Sequence, residues 1–194
     1  MTERRSRSPV VEEARQPWEE PGGPRPGTRP VLVVGLGNPV LGDDGVGWRI
    51  VDALERRLAA DPSARASAGP VEIDRLAVGG FSLMERLVGY DRVVIADAVV
   101  GDDSVGTVSS APLGAVVDRL AGHLDSAHDA TLDVAMAAGR ALGARLPDEI
   151  TVVGVTARRV DEFDECLSPP VAAAVGPAVE AVLAALVRSR DGAP

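Results

Sequence analysis

The sequence predicts an α/β sandwich built on a mostly parallel sheet. Three short runs rich in β-branched residues, at 31–34, 93–96 and 150–155, have the length and composition of strands covered on both faces. Between them, apolar residues recur at a spacing of about four, which is typical of amphipathic helices. Strands that alternate with helices favour parallel pairing, and one antiparallel edge strand fits the remaining pattern.

The first half of the chain contains two predicted strand–helix units. A glycine-rich turn at 35–38 leads from the first strand into a helix whose apolar face consists of Val46, Ile50, Leu54 and Leu58. A second strand is predicted at 71–76. Ser82 followed by Glu85 has the spacing of a capping box, which predicts a short helix that begins there and continues through Val88.

The second half is predicted to contain an antiparallel strand at 105–109, a helix at 113–120 and two further helices. The first of these helices has an apolar face of Leu132, Met136, Gly139, Leu142 and Leu146. In the second, Ser168 is predicted as the N-cap before two prolines. Its apolar face is Val171, Val175, Val179, Val182 and Leu186.

Composition predicts one globular domain after an N-terminal tail. The chain has 194 residues, 45% of them apolar, enough for one sizeable core. Residues 1–29 are rich in Pro, Gly, Arg and Glu without a helical or alternating apolar period, so we expect a disordered tail. The domain is expected to span residues 30–190.

Charge and cysteine usage exclude several classes of partner. The net charge is −9, and the twenty basic residues, all arginines, form no basic run, so nucleic acid is not an expected partner. No uninterrupted apolar run approaches the roughly 18 residues of a membrane span, and no membrane association is expected. The single cysteine, Cys166, fits a reducing compartment, and we expect a cytoplasmic protein.

Acidic residues follow two of the predicted strands. Asn38, Asp43 and Asp44 follow the first strand, and Asp97 follows the strand at 93–96. In open α/β sheets ligands bind beyond the carboxyl ends of the strands, so these side chains are candidate site residues. Asp43 fits a helix-start residue that accepts free N–H groups. Asp44 is the stronger functional candidate, because the glycines at 45 and 47 permit close approach of backbone or substrate.

Two histidines, His123 and His128, precede the helix predicted at 132, and either could join the carboxylates. Imidazole with carboxylates suits a first-row ion such as nickel or zinc, and the lack of thiolate clusters argues against a closed structural zinc site. The turn fails as a dinucleotide fingerprint because Val40 occupies the third glycine position. The motifs of zincins, serine hydrolases and pepsin-like proteases are missing, and acidic neighbours disfavour Cys166 as a nucleophile.

The motif GLGNPVLGDDGVG at 35–47 resembles the signature of the hydrogenase maturation proteases. The resemblance extends through RIVDALE at 49–55, VVIADAV at 93–99, SAHDATLDV at 126–134, TVVGVTA at 151–157 and LSPPV at 167–171. It covers essentially residues 31–187. It implies a three-layer fold in which a twisted sheet lies between helices on both faces.

The resemblance also implies an activity and a set of site residues. The activity is that of an endopeptidase that removes the C-terminal extension of a nickel-loaded [NiFe] hydrogenase large-subunit precursor. Asp44, Asp97 and His128 are implied as the metal-contacting and catalytic triad, with Asp43 as a possible auxiliary carboxylate. The substrate-binding positions are expected at Gly37, Asn38, Gly79 and Gly80. The nickel is expected to arrive with the precursor rather than to be held by the free enzyme.

Two alternatives remain open at this point. The same triad would serve a non-catalytic nickel-sensing chaperone that binds the precursor without cutting it, or another peptidase on the same scaffold. The chain also departs from the family pattern around its Gly79–Gly80 pair. Val78 stands where an acid is common and Phe81 where a threonine is common, which puts precursor selectivity in question.

Overall fold

The computed structural model describes residues 29–101, 103–116 and 131–188, which form a five-stranded sheet between helices. The strands lie in the order β2-β1-β3-β5-β4. β4 pairs antiparallel with β5 at one edge, and the other pairs are parallel. The predicted mostly parallel sheet with an antiparallel edge strand is therefore confirmed. The strands are β1 (Val31–Leu36), β2 (Val71–Leu76), β3 (Arg92–Val99), β4 (Val108–Pro112) and β5 (Glu149–Thr156).

In the described ranges, six helices cover the two faces of the sheet, and a 3-10 turn, Gly42–Gly45, precedes the first. The helices are α1 (Val46–Ala60), α2 (Pro62–Ala68), α3 (Gly80–Leu87), α4 (Leu113–Val116), α5 (Leu132–Ala141) and α6 (Pro169–Arg188). Buried residues of α1, α2 and α6 share one core with one face of the sheet. Those of α3, α4 and α5 share a second core with the opposite face. The three-layer prediction is confirmed.

Alternation along β1 shows why the central strands read as continuous apolar runs. Val31 and Val33 point into the core with α1 and α6, whereas Leu32 and Val34 point into the core with α3 and α5. All four are buried. Burial of each such side chain stabilises the fold by about 1.5–3 kcal/mol, so a polar residue on either face of this strand would be strongly unfavourable.

The predicted start of α3 at Ser82 is wrong. The helix begins at Gly80, after Gly79 as N-cap, and no side chain caps it. Gly80 has φ 51, so the chain turns into the helix through the glycine pair itself. Ser82 consequently lies inside the first turn and its side chain is exposed.

Leu142 does not belong to the buried face of α5, as the sequence pattern predicted. The helix ends at Ala141, and Gly143 takes φ 82. The N–H of Ala144 bonds to the Gly139 carbonyl at 2.9 Å, and that of Gly143 to the Arg140 carbonyl at 3.0 Å, which is the Schellman pattern. Leu142 is left 75% exposed as a result, while the predicted Leu146 is buried from the following loop.

Helix α2 was not predicted, although its start carries a local signal. Asp61 precedes Pro62, and its carboxylate accepts hydrogen bonds from the N–H groups of Ser63 at 2.9 Å and Ala64 at 3.1 Å. These bonds hold the pKa of Asp61 below its usual value, and the bond from Ala64 has the largest effect. An N-cap aspartate followed by proline at the first helical position is a standard helix start.

Other predicted boundaries of strands and helices differ from the observed ones by a few residues. The antiparallel strand lies at Val108–Pro112, three residues later than predicted, and β3 continues to Val99 instead of stopping before Asp97. The helix predicted at 113–120 is seen as α4 through Val116, and its remainder lies outside the described residues. The tail predicted at 1–29 lies outside them too, except for Arg29.

Helix α6 is long and apolar enough, by composition alone, to cross a membrane. The 19 residues Pro169–Val187 have a mean hydropathy of 1.9, and 39% of that window is buried. The predicted face at 171, 179, 182 and 186 is buried against α1 and the sheet, with Val175 partly buried beside it. Among the described residues α6 therefore packs one face against the core.

The start of α1 depends on the absence of a side chain at Gly47. A Cβ there would lie 2.1 Å from the Leu36 carbonyl oxygen and 2.4 Å from the Ala96 carbonyl oxygen, both in central strands. We expect Gly47→Ala to lower the free energy of unfolding by about 1–3 kcal/mol or more in urea denaturation, because the helix has to move off the sheet.

Gly114→Ala is the matched control for this substitution. Gly114 is exposed in α4, and a Cβ there would meet no atom within 4 Å. We expect this variant to be neutral or stabilised by up to about 1 kcal/mol, since alanine restricts the unfolded chain. Equal stability of the Gly47→Ala protein would contradict the close approach.

Candidate active site

The strand order defines one crevice as the natural ligand position. β1 is flanked by β2 on one side and β3 on the other, so the connections that leave β1 and β2 run in opposite directions along the sheet. In open α/β sheets such a switch point leaves a crevice beyond the carboxyl ends of the strands, where ligands bind. Asp44, in the 3-10 turn that follows β1, and Asp97, near the carboxyl end of β3, are the first two members of the predicted triad.

Asp44 is held in place by the turn that precedes it. It is 2% exposed, and its Oδ2 accepts a 2.6 Å hydrogen bond from the N–H of Asn38. Gly37, with φ 124, makes this turn possible: a Cβ there would lie 1.9 Å from the Asp44 carbonyl oxygen. Asn38 therefore holds the Asp44 carboxylate, and Gly37 leaves room for the Asp44 backbone. The predicted role of both residues in substrate binding stays a prediction.

Asp97 lies within β3, not after it. It pairs with Gly154 of β5, two residues before the end of the strand, and is fully buried. Its Oδ1 accepts a 2.7 Å hydrogen bond from the N–H of Ala98. The sheet thus fixes the backbone of Asp97, which leaves its side chain little freedom.

Packing brings the two carboxylate-bearing segments together. The 3-10 turn that carries Asp44 contacts β3. Gly47, three residues after Asp44, also abuts the carbonyl of Ala96, the residue before Asp97. Asp44 and Asp97 therefore approach the same end of the sheet from neighbouring segments, as the sequence predicted.

Asp43 has a structural partner that the sequence did not reveal. Its Oδ1 accepts a 2.6 Å bond from the N–H of Ser168, and its Oδ2 accepts a 2.9 Å bond from the Ser168 hydroxyl. The carboxylate does not cap α1, whose N-cap Gly45 has no side-chain bond. Asp43 thus lies at a helix start, as predicted, but its carboxylate holds the beginning of α6 against the turn.

A loop between β5 and α6 adds further hydrogen bonds to the same turn. The N–H of Gly42 donates to the Asp164 carbonyl at 2.6 Å, and that of Asp43 donates to the Arg159 carbonyl at 2.8 Å. The N–H of Asp164 donates to the Val40 carbonyl at 3.1 Å. We call residues 158–167 the β5–α6 loop. It braces the 3-10 turn along its outer side.

The third predicted ligand is His128. His128 and the second histidine, His123, lie outside the described residues. Within the described ranges, no group of three His, Cys, Asp or Glu side chains is arranged to hold a metal ion. Two of the three triad residues are thus brought to one edge, and the role of His128 stays a prediction.

The other predicted residues lie at the same edge of the sheet or near it. Gly79 and Gly80 follow β2 and start α3, and Phe81 beside them is 42% exposed. Cys166 is an exposed free thiol in the β5–α6 loop, and its N–H donates to Asp164 Oδ1 at 2.8 Å.

Two grooves in the described structure lie away from these carboxylates. One, of about 410 Å³, is lined by residues of α1, α2 and β2, including Glu55 and Arg65. The other, of about 460 Å³, lies between α5 and the start of β5 and includes Asp133 and Arg140. Neither contains a residue of the predicted triad.

Comparison with known proteins gives consistent matches. The family model of the hydrogenase maturation proteases matches residues 49–185. The hydrogenase 2 maturation protease of Escherichia coli is 33% identical over 159 residues, which cover 82% of this chain and 92% of that protein. Among solved structures, the E. coli hydrogenase maturating endopeptidase HybD aligns with a TM-score of 0.63 at 30% identity, over 83% of this chain and 94% of its own.

A more distant solved structure agrees with these. The [NiFe] hydrogenase maturation protease HybD from Thermococcus kodakarensis aligns with a TM-score of 0.52 at 28% identity, over 81% of this chain and 99% of its own. Fold and site therefore define an α/β endopeptidase with paired buried carboxylates at the switch point of its sheet. The chain belongs to the hydrogenase maturation protease family.

The contact between Asp43 and Ser168 gives a direct test of how the turn is held. Ser168→Ala removes a hydroxyl that bonds to a buried carboxylate, so we expect the free energy of unfolding to fall by about 1.5–3 kcal/mol in urea denaturation. Ser82→Ala, which removes an exposed hydroxyl in α3, should change it by no more than about 0.5 kcal/mol. Equal effects of the two substitutions would contradict a stabilising role for this contact.

Proposed function

We propose that this enzyme removes the C-terminal extension from the large-subunit precursor of a [NiFe] hydrogenase after nickel has been inserted into that precursor. Membership of the hydrogenase maturation protease family supports the reaction class. The observation that carries the proposal is the placement of two carboxylates, Asp44 at 2% exposure and Asp97 at 0%, at the switch point.

In this proposal Asp44, Asp97 and His128 contact the nickel that the precursor presents. Carboxylate oxygens and an imidazole suit a borderline first-row ion. Two acidic side chains buried at one edge carry a desolvation cost, which a bound cation offsets. Three ligands without sulfur form a modest and open site, so the precursor supplies the remaining coordination and the free enzyme is metal-poor.

The reaction is hydrolysis of one peptide bond close to the nickel. Water adds to the scissile carbonyl carbon, the C–N bond breaks, and a proton passes to the leaving amine. A carboxylate at this edge accepts the proton of the attacking water, and general acid–base help of this kind is worth roughly 10²- to 10⁴-fold in rate.

We assign this proton transfer to the pair Asp44 and Asp97, without dividing it between them. Asp43 has both oxygens engaged by Ser168, so we assign it the positioning of the turn. The proposed substrate is a folded cytoplasmic protein, which agrees with a chain that has a single cysteine.

Nickel dependence is the decisive test of this function. We expect the purified enzyme to shorten nickel-loaded precursor at its C-terminus and to leave nickel-free precursor intact, as followed by intact-protein mass spectrometry. Cleavage of both forms at the same rate would refute nickel recognition but keep the endopeptidase. A stable, uncut complex with the nickel-loaded form would favour the chaperone alternative.

Substitution of His128 tests the proposed third ligand, and substitution of His123 is the matched control. We expect His128→Ala to abolish processing while the circular dichroism spectrum and melting temperature stay unchanged, since an imidazole that the sequence predicts in a loop is expected to contribute little to a core. His123→Ala should retain processing at the wild-type rate. A His128→Ala enzyme that still cleaves at that rate would remove His128 from the mechanism.

A further inference from the structure

Both phenylalanines of this chain lie on the surface. The sequence contains two, Phe81 and Phe163, and they are 42% and 89% exposed. Phenylalanine is normally among the most buried residue types, so the 89% exposure of Phe163 is unusual. Phe163 lies in the β5–α6 loop, which also braces the Asp44 turn.

The β5–α6 loop holds Phe163 in a defined position. Arg159 bonds through Nε to Glu162 Oε2 at 2.8 Å and through Nη2 to Asp164 Oδ2 at 2.9 Å. The residues directly before and after Phe163 are therefore both held by ion pairs with Arg159. The N–H of Cys166 and the Arg159 guanidinium hold the pKa of Asp164 below its usual value. The carboxylate therefore stays ionised, and its bonds persist, throughout the neutral range.

The loop also pairs with the segment that leads into the site. Leu41 and Asp164 form a parallel β-bridge, so Val40 and Phe163 are neighbours in its register. Val40 is 41% exposed. We call these two side chains the Val40–Phe163 patch. Two residues after Val40, the N–H of Gly42 bonds to the same loop, which ties the patch to the turn that carries Asp44.

We infer that the Val40–Phe163 patch is the docking anchor for the folded body of the protein substrate. The inference rests on the proposed function, because a precursor whose peptide bond reaches Asp44 and Asp97 has to cover this edge of the sheet. A projecting aromatic on a braced loop loses little conformational entropy when it enters a pocket, which is typical of binding hot spots.

The loop sequence also defines the chemistry of the matching surface. Residues 158–166 contain four acidic and two basic side chains, and Asp161 and Glu165 are exposed within two positions of Phe163. The complementary surface on the substrate is therefore an apolar hollow with basic groups at its rim.

Substitutions at Phe163 test the inference, and Leu142 provides the control. Leu142 is 75% exposed at the end of α5, before β5 starts, and so lies near the opposite edge of the sheet from the site. Each residue is changed to Ala and to Asp in the full-length protein. The probe is the nickel-loaded large-subunit precursor of the [NiFe] hydrogenase from the same organism. Processing kinetics and, separately, precursor binding by calorimetry are measured.

We expect Phe163→Asp to raise KM and weaken precursor binding by about tenfold or more while kcat and melting temperature stay unchanged, with Phe163→Ala intermediate. Both Leu142 variants should match the wild type. Unchanged KM and affinity in Phe163→Asp would overturn the inference and leave the protease function intact. The inference would also be overturned if the wild type sediments as a dimer and Phe163→Asp sediments as a monomer, since the patch would then join two copies of this chain. Binding that depends on Phe163 in a wild-type enzyme that never cuts would support the anchor and refute the proposed function.

Discussion

The structure depends on direct contact between backbones at the carboxyl ends of β1 and β3. At Gly47 the first turn of α1 lies so close to the carbonyls of Leu36 and Ala96 that no side chain fits. At Gly37 the chain meets the Asp44 carbonyl in the same way. With side chains at these two positions, α1 would stand further from the sheet. The carboxylate-bearing turn would then lie away from β3, and the two acids could not share one crevice.

This tight packing buries three carboxylates at one edge, and each is accommodated differently. Asp43 takes both donors of Ser168, Asp44 accepts the Asn38 amide, and Asp97 accepts the amide of its own neighbour, Ala98. Bonds of this kind offset part of the cost of burying charge. Burying these carboxylates has a desolvation cost, and they lie where the topology of the sheet favours ligand binding. A role in catalysis or ligand binding explains them better than a contribution to stability.

Much of this arrangement could be predicted from local sequence. The apolar runs predicted the central strands, and their position after those runs identified Asp44 and Asp97 as candidate site residues. The failures also have physical causes. Ser82 had the spacing of a cap, but the Gly79–Gly80 pair started the helix earlier. Leu142 continued the apolar period of α5, but the helix ends at Ala141 because Gly143 takes a positive φ. The partnership of Asp43 with Ser168 spans 125 residues, and no local pattern signals it.

That separation has a consequence for the order in which the enzyme is made. Ser168 opens the last helix of the described chain, and its two donors fix a turn that is synthesised near the beginning. A nascent chain can form its early strands and helices while Asp43 still lacks these donors. Contacts between distant segments form late and slowly, since a long loop has to close first. The turn that carries Asp44 therefore gains its hydrogen bonds from Ser168 only after residue 168 has been synthesised.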